Sequence, residues 1–267
     1  MGARIEGQTV FFQLYVNSNR DICKMIVEKA ERLGCSAMFI TCDAPQLGNR
    51  EKDRRVKVSH SGASVQSGKV ATKSEGTAKA LTTFIDPSLN WDDIKWFRSI
   101  TKMRIVLKGI ATAEDALKAV EYDIPAIVLS NHGGRQLDFA RSGIEILPEV
   151  MEALDKNNCR DKIEVYIDGG VRRGTDIFKA LALGAQAVGL SRPALYAMSA
   201  FGQPGIEKMI QILKDELEMT MRLMGTPTIK DIRREMVVTH DLGRHVTMPR
   251  DFLQVSNRRS YCCCYCC

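Results

Sequence analysis

Six short apolar runs alternate with stretches of helical spacing, and this repeat constrains the fold more than any other feature of the chain. The runs are apolar on both faces rather than alternating, as is typical of parallel strands that are covered by helices. They occupy residues 10–16, 37–42, 105–107, 126–129, 165–167 and 187–190. Helical spacing is found at residues 20–33, 91–100, 113–121, 144–154 and 175–183. The order predicts an α/β fold, either a doubly wound sheet or a (β/α) barrel.

Polar residues at the carboxyl ends of the runs distinguish these two architectures. A doubly wound sheet concentrates such groups at one switch point, whereas a barrel brings them from every strand to a central site. Here each run ends on polar groups: Gln13 and Tyr15, Thr41 and Asp43, Lys108, Ser130 through Arg135, Asp168 to Arg172, and Ser191 with Arg192. The sequence therefore predicts a TIM-type (β/α)8 barrel.

Two regions depart from the repeat. Residues 47–86 contain many Lys, Ser and Gly and are too long for an ordinary connection. They are interpreted either as a disordered insertion or as a lid beside the site. We predict a long amphipathic helix at 205–224, a shorter helical piece at 228–233, one domain over 1–255, and a disordered Cys-rich tail at 256–267.

Charge and composition exclude several classes of protein. Lys and Arg number 38 against 32 Asp and Glu, without the dense basic stripe of a nucleic-acid binder. No apolar run approaches the ~18 residues of a membrane span. The four body cysteines are expected to be free thiols in a reducing compartment, and the tail cysteines lack the second ligand pair of a zinc site. We therefore predict a cytoplasmic protein with no metal site, no nucleic-acid partner and no membrane span.

The densest group of chemically active side chains is the Ser-Asn-His-Gly-Gly-Arg-Gln run at residues 130–136. A histidine directly after a buried strand can accept a proton near neutral pH. The arginine fork can hold a carboxylate through two parallel hydrogen bonds, and the glycines allow a ligand to approach the backbone. The run indicates a base, His132, beside a carboxylate-binding group, Arg135.

Two glycine-rich turns with arginines follow the last two runs, at residues 168–175 and 189–192. Each leads from a strand into a helix, and glycines, helix N-termini and arginines together are typical of a phosphate site. Lys108 ends an apolar run and could neutralise a developing negative charge. Asp43 could orient a histidine, or it could serve only as a turn residue before Ala44-Pro45.

Seven segments, in this order along the chain, resemble the FMN-dependent α-hydroxy-acid dehydrogenase/oxidase family, and in particular its fungal L-lactate dehydrogenases. They lie at residues 12–17, 41–50, 84–88, 105–109, 130–138, 168–176 and 189–193. The resemblance implies FMN-dependent oxidation of an L-2-hydroxy acid, in the first place L-lactate to pyruvate. It leaves glycolate or another 2-hydroxy acid as the alternative substrate, and it implies a homotetramer and a mitochondrial location as an alternative to the cytoplasm.

The resemblance also implies residue roles. His132 would take the substrate proton, Asp43 would stabilise its charged form, and Tyr15 would hydrogen-bond the substrate hydroxyl. Arg135 would bind the substrate carboxylate, with Arg50 as a second, mobile arginine at the mouth of the site. Lys108 would face the N1/O2 edge of the flavin and stabilise its reduced form. The residues expected to hold FMN are Gln13, Thr41, Lys108, Ser130, Asp168, Gly169, Gly170, Arg172, Ser191 and Arg192.

Two features depart from the family pattern. Ser191 stands where the family usually has glycine. If the last two runs correspond to barrel strands 7 and 8, the run at 10–16 corresponds to strand 3, and strands 1 and 2 are expected to be absent. The alternative to an active enzyme is therefore a truncated, non-catalytic remnant that binds FMN weakly.

Overall fold

The computed structural model describes residues 7–50 and 84–242, and these contain one six-stranded parallel sheet. The strands are β1 (Phe11–Leu14), β2 (Ala37–Thr41), β3 (Arg104–Ile110), β4 (Ala126–Leu129), β5 (Glu164–Asp168) and β6 (Ala187–Gly189). Their order in the sheet is their order in the chain. A doubly wound sheet would reverse this order at its switch point, so the predicted class, an incomplete (β/α)8 barrel, is confirmed.

Within the described ranges, six α-helices connect or follow the strands. They are α1 (Arg20–Arg32), α2 (Asp93–Ile100), α3 (Ala113–Glu121), α4 (Gly143–Lys156), α5 (Gly174–Ala182) and α6 (Arg192–Leu223). Local sequence explains several of their N-termini: the Asn19 side chain accepts from the backbone of α1, and Ser142 with Glu145 forms a capping box on α4. The first five helices lie within about two residues of their predicted bounds.

The predicted helix at 205–224 is only the second part of α6, which begins at Arg192. Pro193 occupies the first turn, where a missing N–H costs nothing, so the helix starts directly after β6. At Gly202 the backbone leaves helical geometry (φ 63°, ψ −148°), and Pro204 follows. This break interrupts the apolar periodicity, which is why the sequence indicated only the later segment. The predicted helical piece at 228–233 contains one 3-10 turn, Ile229–Asp231, and a second 3-10 turn, Arg234–Met236, follows it.

The main hydrophobic core lies between the outer face of the sheet and the helices. Its fully buried side chains include Phe97, Leu107, Leu129, Ile146 and Leu154. A second, smaller cluster lies on the concave face and comprises Ala37, Val106, Ala126 and Val128, packed by Phe39 and Tyr166. Burial on both faces confirms the interpretation of the central runs as covered parallel strands.

The two outermost strands differ from this pattern. Within residues 7–50 and 84–242, β1 pairs only with β2, and β6 pairs only with β5. Phe11 in β1 is 55% exposed, and both Ala187 and Gly189 in β6 are exposed. The expectation that the 187–190 run is covered on both faces is therefore wrong for β6, because an edge strand has a neighbour on one side only.

A bulge in β3 brings that strand close to the loop after β2. The register between β3 and β4 shifts between Lys108 and Ile110. Gly109, at the bulge, has φ +107°, and a Cβ there would lie 2.5 Å from Cβ of Asp43. Only glycine fits this close approach.

The ends of the predicted insertion are described, but most of it is not. Residues 84–86 lie beside the segment that follows β1, with an isolated antiparallel bridge between Asn17 and Ile85. Residues 51–83 and the predicted tail at 256–267 lie outside the described ranges. Within residues 7–50 and 84–242, no helix is both long and apolar enough to cross a membrane.

Candidate active site

His132 lies in a 3-10 turn directly after β4, in an unusual backbone conformation. Its φ is +57°, in the left-handed region that costs a non-glycine residue about 1 kcal/mol or more. Two hydrogen bonds hold the turn: the His132 amide donates to Ser130 Oγ at 3.1 Å, and the Gly134 amide donates to Asn131 Oδ1 at 3.0 Å. The histidine side chain is only 7% exposed. A strained, buried and fixed histidine is typical of a reacting group.

Asp43 and His132 form a short hydrogen-bonded pair across β2 and β4. His132 Nδ1 lies 2.8 Å from Asp43 Oδ1. Burial by itself raises the pKa of Asp43, but the hydrogen bond from His132 and the charge of Lys108 outweigh it and place the pKa below 3.8. The carboxylate is therefore ionised and accepts the proton of Nδ1, and in the neutral imidazole this tautomer has its lone pair on Nε2.

Tyr15, which follows β1, meets the other ring nitrogen of this histidine. Its hydroxyl lies 3.3 Å from His132 Nε2. Burial raises the pKa of Tyr15 above its usual 10.0, although the nearby charge of Lys108 opposes the shift. Tyr15 thus stays a phenol and can donate to Nε2.

Lys108, at the carboxyl end of β3, joins the pair to the next strands. Its Nζ lies 3.2 Å from Asp43 Oδ2, 3.1 Å from Ser130 Oγ and 3.6 Å from Asp168 Oδ2. Asp168 Oδ1 is buried and has no hydrogen-bond partner among the described residues. On the adjacent strands, Gln13 Nε2 donates to Thr41 Oγ1 at 2.7 Å. Six of the predicted site residues therefore form one connected group: Tyr15, His132, Asp43, Lys108, Ser130 and Asp168.

The two predicted substrate arginines are neighbours, although Arg135 has no described contact with His132. Arg50 Nε donates to the carbonyl oxygen of Arg135 at 3.2 Å. The Arg135 side chain is exposed, and the charges of both arginines act on Tyr15. The roles assigned to these arginines, and the mobility of Arg50, stay predictions.

Sequence reasoning gave no role to Gln136, which contacts the segment that contains Asp43 and Arg50. Its Oε1 accepts from Arg50 Nη2 at 3.0 Å, and its Nε2 donates to the carbonyl of Gln46 at 2.7 Å. The available signal was its position directly after Arg135 in the run of residues 130–136. The distance in sequence between partners, 86 and 90 residues, hid the contact.

The predicted phosphate-binding turns lie at the far end of the strand row. Gly169 and Gly170 have φ +81° and +80°, and the space where a Gly170 Cβ would lie is open within 4 Å. Arg172 and Ser191 are exposed and, in the described part of the chain, have no hydrogen bond to the six-residue group that contains His132. Arg192 reaches toward that group, because its Nη2 donates to the carbonyl oxygen of Gly133 at 2.8 Å.

The residues that the structure describes contain no group of three His, Cys, Asp or Glu side chains arranged to hold a metal ion. The four cysteines of the body are free and buried. The chemistry available at the strand ends is therefore that of a histidine–carboxylate pair, a lysine, a phenol and several arginines.

Comparisons with known proteins agree with this chemistry. The chain is 48% identical over 256 residues to an L-lactate dehydrogenase (cytochrome) of Wickerhamomyces anomalus, which covers 96% of this chain and 45% of the relative. It is 46% identical to a peroxisomal (S)-2-hydroxyacid oxidase of Arabidopsis thaliana, covering 88% of this chain and 65% of the relative. The chain thus spans about half the length of the fungal relative.

The structure is similar to the flavin-binding domain of baker's yeast flavocytochrome b2. The TM-score is 0.80 at 46% sequence identity, and the match covers 97% of this chain and 62% of that one. A sequence model described as FMN-dependent dehydrogenase matches residues 2–239. With its curled parallel sheet and the His132 group at the strand ends, the chain belongs to the FMN-dependent dehydrogenase family.

Proposed function

We propose that the chain acts in the FMN-dependent oxidation of an L-2-hydroxy acid, in the first place L-lactate to pyruvate. One observation carries the proposal: His132 has Nδ1 fixed by ionised Asp43 and Nε2 directed toward the Tyr15 hydroxyl. A base with one nitrogen oriented and the other basic is what removal of a substrate proton requires.

The chain's own residues would manage the proton and the substrate charge. His132 Nε2 receives the proton that the hydroxy acid releases, and the Asp43 carboxylate stabilises the imidazolium that results. Tyr15, kept as a phenol, hydrogen-bonds the substrate hydroxyl beside Nε2. Arg135 binds the substrate carboxylate through its planar fork, with Arg50 beside it.

The residues at the strand ends fit FMN, the cofactor of the family. Asp168 Oδ1 is a buried acceptor without a described partner and fits a ribityl hydroxyl. The open glycine turn before α5, with Arg172 and Arg192 nearby, fits a phosphate. Lys108 would supply positive charge at the flavin ring, and Gln13, Thr41 and Ser130 would contact the ring or the ribityl chain. FMN, when bound, accepts the two electrons that leave the substrate.

Two alternatives have observations in their favour. The plant relative is named a 2-hydroxyacid oxidase, which supports glycolate or another 2-hydroxy acid as substrate. The two exposed edge strands support the non-catalytic remnant, because β1 and β6 each lack a second neighbour in the described sheet.

A flavin titration with substrate challenge tests the proposal. The purified chain is titrated with FMN by fluorescence quenching, and L-lactate, D-lactate and glycolate are then added anaerobically while the flavin absorbance is followed. We expect bleaching by L-lactate and none by D-lactate, with His132→Gln binding FMN but not bleaching. Faster bleaching by glycolate would favour the oxidase alternative. FMN binding without bleaching by any of the three acids would contradict the enzymatic function and favour the remnant.

A further inference from the structure

The side-chain amide of Gln136 makes all four hydrogen bonds that a glutamine amide can make. Its Oε1 accepts from the Gly48 amide at 3.2 Å and from Arg50 Nη2 at 3.0 Å. Its Nε2 donates to the carbonyl oxygens of Gln46 at 2.7 Å and of Asp43 at 3.4 Å. A primary amide has two donor hydrogens and two acceptor lone pairs, so this side chain is fully matched.

All four partners belong to one segment, residues 43–50, which begins with the carboxylate partner of His132 and ends with Arg50. The backbones also meet: a Cβ on Gly48 would lie 2.3 Å from the carbonyl oxygen of Gln136 and 2.8 Å from that of Arg135. Arg50 Nε adds its hydrogen bond to the Arg135 carbonyl. One side chain therefore connects this segment to the loop that contains both His132 and Arg135.

We propose that Gln136 is a positioning residue that sets two distances in the site. Its donors hold the start of the segment, which places the Asp43 carboxylate against His132 Nδ1. Its acceptors hold the end of the segment, which places Arg50 beside Arg135. The Gln136 side chain makes no described hydrogen bond to His132, and this assignment gives it no contact with the substrate. The inference rests on the proposed function, because it concerns the geometry of the proposed base and arginines.

The chemistry of glutamate separates the two halves of this assignment. In Gln136→Glu the acceptors for Gly48 and Arg50 remain, but the donors are replaced by a carboxylate oxygen that faces two carbonyl oxygens. In Gln136→Leu both halves are lost. We therefore expect Glu to disturb Asp43 while leaving Arg50 in place, and Leu to disturb both.

Nuclear magnetic resonance of the full chain tests this without any requirement for turnover. The Nδ1–H resonance of His132, assigned by its loss in His132→Gln, reports the bond to Asp43, and the Nε–H resonance of Arg50 reports the bond to the Arg135 carbonyl. In Gln136→Glu the His132 proton is expected to exchange with water about tenfold faster, or to disappear, with Arg50 unchanged. In Gln136→Leu both signals are expected to show the loss. Gln46→Ala is the matched control, since it removes an exposed amide but keeps the Gln46 carbonyl, and it should change neither signal.

The outcomes separate the inference from the proposed function. Unchanged His132 and Arg50 signals in a folded Gln136→Leu variant would overturn the positioning role, whether or not the chain oxidises lactate. Altered signals in a chain that oxidises no hydroxy acid would support the positioning role while the proposed function fails. If Gln136→Leu does not fold, Gln136→Asn decides, because its amide is one methylene shorter and cannot reach both ends of the segment. Retention of both signals in a folded Gln136→Asn would overturn the role equally.

Discussion

The two ends of the sheet, β1 to β4 and β5 to β6, differ in the hydrogen-bond partners of the polar groups at their carboxyl ends. From β1 to β4, Tyr15, Asp43, Lys108 and His132 hydrogen-bond to one another, and the carboxylate and the imidazole are nearly buried. At β5 and β6, the groups expected to bind phosphate are exposed, and Gly170 borders open space. The fold itself therefore fixes the geometry of the acid–base group. The anion-binding end offers charge and backbone N–H groups to whatever approaches it. Changes in the first region should therefore alter catalysis, and changes in the second should alter cofactor affinity.

The largest effect is expected at the base. His132→Gln should lower turnover of L-lactate by about a thousandfold or more, because a glutamine amide cannot accept the substrate proton. FMN affinity should change little, since the histidine lies in the hydrogen-bonded group from β1 to β4 and not in the turns that are expected to bind phosphate. Steady-state kinetics and FMN titration of the same preparations measure both quantities. Turnover that survives within about tenfold, roughly 1.4 kcal/mol of barrier, would remove His132 from the role of base.

The next effect concerns the substrate carboxylate. Arg135→Lys should raise KM for L-lactate about 10- to 100-fold, because an ammonium group cannot reproduce the two parallel hydrogen bonds of a guanidinium. The turnover number should fall less than KM rises. Lys102→Arg, at an exposed position just before the amino end of β3, is a suitable control for a change between the two cations. An unchanged KM would place Arg135 outside the substrate site.

A smaller effect, confined to cofactor affinity, is expected at the open end. Arg172→Gln should weaken FMN binding about tenfold, as expected for loss of one charge-assisted contact to phosphate. The free energy of unfolding should change by less than ~0.5 kcal/mol, because the side chain is exposed. Fluorescence titration and urea unfolding measure the two quantities. A loss of stability that matches the loss of affinity would contradict the division between the two regions.

The smallest effect concerns the contribution of Asp43 to the free energy of unfolding at acid pH. The pKa of Asp43 is lowered in the folded chain, so its contribution to stability is present above its unfolded pKa near 3.8 and is lost as the pH falls through the folded pKa. Asp43→Asn should therefore lower the free energy of unfolding by about 1 kcal/mol at pH 6, and the difference should shrink toward pH 3. Urea unfolding at both pH values provides the measurement. An equal difference at pH 3 and pH 6 would show that ionisation of Asp43 does not contribute.

The sequence predicted the strands and the polar groups at their ends because both are local properties. Burial on two faces makes a run such as 126–129 apolar throughout, and the structure has a strand over the same residues, Ala126–Leu129. The start of α6 and the role of Gln136 were not predictable in this way. Gly202 and Pro204 break the periodicity within α6, and Gln136 acts on residues 86 to 93 positions away. Contacts of that kind depend on how the strands are assembled, which no local pattern records.

The sequential strand order also bears on how the chain acquires its fold. Each strand from β2 to β6 pairs with the strand that precedes it. Each pairing therefore closes a loop of one strand–helix unit, which between β2 and β3 also contains the insertion. Each pairing then costs only a small amount of loop-closure entropy. A growing chain can therefore dock each new strand–helix unit on the preceding one as it leaves the ribosome. The Asp43–His132 pair forms in the same order, because Asp43 precedes β3 and His132 is added only when β4 is in place. The pair is therefore completed only after four of the six described strands are in place.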